Sequence, residues 1–189
     1  MKQLILLSLV SLLYLQAADV DFSLDANGIT ILCPNAVVDE SETVDGIIYT
    51  KIDGKDDLIV NAGLVDATEA CTSGVTNMDR WFSTLGTFDK DIGHLDTSSV
   101  TTMYSMFYRA SAFNQDISSW DTSKVTNMGD MFNQASSFDQ DISQWCVSNI
   151  VSKPDYFDTS SAFVDQDDMQ PQWGTCPLRS LSAIYYLLF

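Results

Sequence analysis

Three aspartates recur at a fixed interval, Asp91, Asp116 and Asp141, and they are the side chains whose type and spacing come nearest to a chemical site. Identical carboxylates brought about 5 Å apart by successive units must be protonated, hydrogen-bonded or bridged by a cation. Calcium takes oxygen ligands of this kind. Alternatively, each carboxylate accepts a backbone N–H in a turn, which Asp does routinely, and this turn role is the favoured reading. Asp53, Asp56 and Asp57, and the run Asp165, Asp167 and Asp168, lack the spacing and the glycine of a calcium-binding loop. The expectation is that no cofactor is needed.

Catalytic patterns are not found. His94 is the only histidine, no C-x-x-C pair exists, and a zinc site is poorly supported. His94 is assigned to the surface of a divergent unit. There is no G-x-S-x-G elbow, no phosphate-cradling glycine loop and no dinucleotide fingerprint. An enzyme is therefore not expected. Trp120 and Trp145 could offer sugar-stacking faces, but their fixed place beside Ile117 and Ile142 points to core packing. Tyr104, Tyr108 and Arg109 lie off the apolar stripe of their segment, and exposed aromatics beside an arginine suit a recognition surface.

What must position these residues is a repeat of 25. Val75, Val100, Val125 and Ile150 share one column. Met78, Met103 and Met128 form another, then Phe82, Phe107, Phe132 and Phe157, then Phe88, Phe113, Phe138 and Phe163. A fixed period of this length marks units that cannot bury their own apolar faces and must stack to do so. The units are 71–95, 96–120, 121–145 and 146–170, and the middle two are nearly identical. Val125, Met128, Phe132 and Ala135 run at helical spacing after Asp121, Thr122 and Ser123 as caps, so one helix per unit is predicted. The sparser Phe138, Ile142 and Trp145 suit a turn and a short strand. The expected fold is an α/β solenoid, leucine-rich-repeat-like, of about four coils.

The wording Phe113-Asn-Gln-Asp-Ile-Ser-Ser-Trp-Asp-Thr-Ser-Lys-Val-Thr-Asn-Met128, followed by Met131-Phe132, resembles the BspA-like family of leucine-rich-repeat surface proteins. Such repeats occur in surface lipoproteins of mycoplasmas and Bacteroidetes-type bacteria. The resemblance covers residues 71–170. It implies an extracellular location and, for some members, adhesion to host or matrix proteins; it implies no catalytic residues.

The flanks do not repeat. Residues 1–18, with Lys2 ahead of an apolar run and then Ala17 and Ala18, read as a secretory signal peptide cleaved near those alanines. Residues 19–70 read as a β-rich N-terminal cap, with strands at 29–32 and 47–52, turns at Asp45-Gly46 and Asp53-Gly54, and 58–60 pairing back across the second turn. Residues 171–189 form a C-terminal cap with an apolar tail too short to span a bilayer. An even cysteine count behind a signal peptide reads as disulfides. Cys71 and Cys146 share the column of Asp96 and Asp121, one at each end of the repeats. Of the three connectivities, Cys33–Cys71 with Cys146–Cys176 is the economical one.

The net charge of −17 disfavours nucleic acid and direct lipid binding. The functional expectation is a secreted or cell-surface adhesion module that binds a protein or matrix ligand. A structural or fibre subunit, assembling with itself through its ends or tail, is the alternative.

Overall fold

The computed structural model describes residues 21–59 and 65–177. The expected signal peptide and the tail 178–189 lie outside the described residues. Among the described residues, all the strands of more than one residue fall before residue 72. β1 (Ser23–Leu24) pairs antiparallel with β2 (Ile31–Leu32). β3 (Ser41–Val44) and β4 (Ile47–Lys51) form a hairpin, and its Asp45-Gly46 turn puts both residues at positive φ, as a two-residue turn of this hand requires. β7 (Ala70–Cys71) adds parallel to β4, and β5 (Leu58–Ile59) pairs parallel with β6 (Val65–Asp66). Asp53-Gly54 makes no hairpin, so Leu58 and Ile59 do not pair back across it, and residue 60 lies outside the described residues; Gly54 leads instead into a 3-10 turn at Lys55–Asp57. Phe22, Ile31, Cys33, Ala36, Tyr49 and Cys71 form a small core for this cap.

The predicted α/β solenoid, leucine-rich-repeat-like, is not formed. No α-helix exists among the described residues, and between 72 and 177 the only β pairing is a row of single bridges, Asn77 to Thr102 to Asn127. The cause is the backbone. Arg80 and Thr84, Ser105 and Arg109, and Asp130 and Gln134 all sit at φ between 54 and 65°, the left-handed region. Two such residues four apart end any right-handed helix there. Each unit is instead a series of tight turns, such as Met131 N–H to Met128 O and Ala135 N–H to Phe132 O. A turn that advances three or four residues repeats apolar positions at the spacing a helix would. Val125, Met128, Phe132 and Ala135 are accordingly all fully buried, without a helix.

Amides that a helix would bond internally reach the neighbouring unit. Met103, Ser105, Phe107 and Arg109 donate N–H bonds of 2.9 Å to the carbonyls of Asn127, Gly129, Met131 and Asn133. Met78, Arg80, Phe82 and Thr84 do the same to Thr102, Tyr104, Met106 and Tyr108. The rings follow. Phe82, Phe107 and Phe132 stack at 5.5 Å between centroids, and Trp120 lies on Trp145 at 6.3 Å. Each buried aromatic contributes about 1.5–3 kcal/mol by leaving water. Both indole N–H groups donate to main-chain carbonyls, Ile92 and Ile117, so the tryptophans are satisfied core residues.

The fourth unit slips by one residue. Its left-handed positions are Tyr156 and Ser160, and its first turn runs from Phe157 N–H to Pro154 O. Pro154 thus stands where Met128 stands, Phe157 where Met131 stands, and Asp158 where Phe132 stands. Phe157 meets Phe132 edge-on, at 88°, although the two share a sequence column. Asp158 is buried and takes hydrogen bonds from Lys153 at 2.6 Å and Gln170 at 2.7 Å. Trp173 packs edge-on against Phe157, so residues 165–177 cover this end. Disulfides join Cys33 to Cys71 and Cys146 to Cys176.

Candidate functional site

Most of the polar residues singled out by their spacing serve the turns. Asp91, Asp116 and Asp141 are exposed, and each carboxylate accepts the N–H two residues on, from Gly93, Ser118 and Ser143 at 2.9–3.0 Å. Asp96 and Asp121 do the same for Ser98 and Ser123. Asn77 and Asn127 accept from Asp79 and Gly129. Thr102 breaks that asparagine column, and its neighbour makes good the loss. The Asp79 carboxylate reaches across from the first unit to accept both the Thr102 hydroxyl, at 2.5 Å, and the Tyr104 N–H, at 2.7 Å.

His94 is not a surface residue. It is half-buried under the cap, its Nε2 is 3.1 Å from the Ala70 carbonyl, and its ring lies 5.5 Å from that of Tyr49. Burial pushes its pKa down, with the Ala70 contact and the Asp91 charge opposing. Nearby, Lys51 is buried and donates to the Ser73 carbonyl, and burial holds its pKa below the usual lysine range. The Ser73 hydroxyl donates to Asp96 at 2.6 Å and accepts the Cys33 N–H at 3.0 Å. Lys51 therefore contacts the carbonyl of Ser73 rather than its hydroxyl, and the group locks the cap to the first unit instead of activating a nucleophile. The acidic cleft beside it, walled by Asp25, Asp96 and Asp121, has two of its three carboxylates spent on turns.

A further concavity holds groups that the turns do not use. A cleft of about 520 Å³ crosses the turns of all four units and is walled by Arg80, Tyr104, Tyr108, Asp130, Asn133 and Tyr156, with the hydroxyls of Ser83, Thr84 and Ser105 between them. Its geometry follows from the stacking. Arg80, Ser105 and Asp130 are the first of the two left-handed residues in their units, and all three line the cleft. The Arg80 guanidinium lies 5.3 Å from the centre of the Tyr104 ring. On the next unit, Gly129 makes room: a Cβ there would stand 3.3 Å from that ring. Arg109 lies over Tyr108 at 4.9 Å and donates to Gln134. Of the residues expected to form a recognition surface, Tyr104 and Tyr108 line the cleft, and Arg109 stands behind Tyr108 without lining it.

Arg80, Asp130, Asn133 and Tyr156 were not singled out from the sequence. A signal for three of them exists there. The columns Arg80/Ser105/Asp130 and Ser83/Tyr108/Asn133 change residue type in each of the first three units, on either side of the unchanging Phe82, Phe107 and Phe132. Variation inside a strict repeat marks positions released from packing.

No curated protein and no solved structure matches this chain. One family does match, over residues 60–171, a span that takes in the whole cleft and well over half of the 189 residues. The chain belongs to the family described as Mycoplasma protein of unknown function, DUF285.

Proposed function

We propose that this protein is a secreted or cell-surface binding module, akin to the BspA-like surface proteins, that attaches to a protein or matrix ligand without chemical turnover. The observation that carries the reading is the cleft at Tyr104 and Tyr108. It gathers three tyrosines and an arginine, residue types enriched where proteins bind each other. Its walls are held by backbone bonds between units, so little main-chain freedom is lost on docking. Two disulfides are compatible with an extracellular setting, where such bonds persist. The wording of residues 113–132 supports the BspA-like kinship.

Replacing Tyr104, Tyr108 and Arg109 together by alanine tests this. The melting temperature should hardly change, because all three are off the core, while attachment to immobilised matrix proteins should weaken. Attachment that survives this change but vanishes on removal of residues 178–189 would move the contact to the tail and favour a structural subunit.

A further inference from the structure

We propose that the cleft receives a carboxylate: a single acidic residue of a partner protein's segment, flanked by neutral or basic residues. This deepens the binding reading above and rests on it. The groups at the cleft are mostly donors. Arg80 brings a guanidinium, Tyr104, Tyr108 and Tyr156 bring phenol hydroxyls, and one acid, Asp130, stands among them. That acid is already engaged, since its Oδ1 accepts the Asn133 amide at 2.7 Å.

Two charges stand out against the rest of the chain. Arg80 and Arg109 are the only arginines among the described residues, and both sit at this face. The protein has 26 acidic residues, yet the one ion pair among the described residues joins Lys153 to Asp158. Neither arginine forms an ion pair among the described residues. Each is laid on a tyrosine ring, which fixes a guanidinium without consuming its hydrogen-bond donors. Lys55 adds a third cation by donating to the Arg80 carbonyl. The result is three cations gathered on a protein of net charge −17, with the carboxylates of Asp79 and Asp130 spent on hydrogen bonds beside them.

The same arrangement selects against other ligands. The ring of Tyr104 is packed between Arg80 of the preceding unit and Gly129 of the next, so it is not a bare face for a sugar to stack on. A polyanion would be repelled by a protein of net charge −17. One carboxylate within a neutral or basic segment satisfies both fields at once, with a charge-assisted bond to Arg80 and hydroxyl donors beside it.

The test uses the full chain with both disulfides formed and two peptides, Ac-Lys-Ala-Asp-Ala-Lys-NH2 and its twin with Asn in place of Asp. The charge and length of the flanks are shared, so the pair isolates the carboxylate. Tyrosine-ring signals in NMR locate the contact while the titration gives affinity. The Asp peptide should bind at Tyr104 and Tyr108 about tenfold or more tightly than its twin. Arg80→Gln should abolish that preference at an unchanged melting temperature. Equal binding of the two peptides at the cleft would overturn the carboxylate and leave the cleft as a recognition site. Failure of both to perturb the tyrosines, or a preference that persists in Arg80→Gln, would also overturn the proposal. Loss of matrix attachment in the tyrosine variant, scored separately, reports on the cleft itself.

Discussion

Asp79→Ala removes an acceptor that serves a different unit from its own. In the wild type its carboxylate takes the Thr102 hydroxyl at 2.5 Å and the Tyr104 N–H at 2.7 Å. A hydrogen bond to a charged acceptor contributes about 1.5–3 kcal/mol when buried. Both Asp79 and Tyr104 are half-exposed, so solvent reduces each bond to about 1 kcal/mol, and the loss is about 2 kcal/mol. The Thr102→Asn variant supplies, within the unit, the turn that Asn77 and Asn127 make in theirs. Alone it should cost about 1 kcal/mol, because the Thr102 hydroxyl bond to Asp79 is lost while the Tyr104 N–H already has a partner. In the Asp79→Ala background it should return about 1 kcal/mol, one recovered bond. Urea unfolding of the four proteins, read as a double-mutant cycle, measures this; the single variant should shift its midpoint by about 1 M at unchanged slope. Additive effects, with no recovery by Asn at 102, would refute the account of how the broken column is repaired.

Other expectations are more direct. Phe132→Ala, at a fully buried position stacked on Phe107 and met edge-on by Phe157, should cost about 3–5 kcal/mol, and a melting temperature within a degree of wild type would contradict the ring ladder. The His94 pKa is lower in the folded protein than its ordinary value near 6.5, so its contribution to stability is complete above that pH and is lost as pH falls through 6.5 toward the folded value. Thermal melts should therefore show wild type losing stability relative to His94→Asn between pH 7 and 5; parallel curves would sink this assignment. Replacing Cys146 and Cys176 by serine opens a link between residues 30 apart in sequence and should lower stability by about 3–4 kcal/mol in calorimetry.

Burial was legible in the sequence and backbone conformation was not. The Val, Met and Phe columns identify buried residues because a 25-residue unit must hide the same faces each time. Those columns could not separate a helix from consecutive tight turns, since both advance three or four residues between buried positions. The distinction lies in Arg80, Ser105, Asp130 and their partners four residues on, whose left-handed φ leaves no mark in residue type when glycine is absent. The slip in the last unit did leave a mark. Lys153 interrupts the methionine column and Pro154 follows it, two residues that fit neither the buried position nor its outward amide. As for the cleft, Tyr104 and Tyr108 were readable as aromatics off the apolar stripe, but Arg80 and Asp130 belong to other units, and only stacking brings them alongside.

Pro154 also bears on how many units the molecule has. Met78 and Met103 occupy its position in earlier units, and each passes an N–H to the unit that follows. Proline has no such hydrogen to pass on. A unit ending in this way can receive a predecessor but offers less to a successor, as edge prolines do in sheets. The two middle units carry no corresponding stop, and another copy of either would find its own kind on both sides. Length is therefore set by the terminal unit alone. Duplication or deletion of a middle unit would change the number of turns facing the cleft while leaving both ends, and their disulfides, as they are.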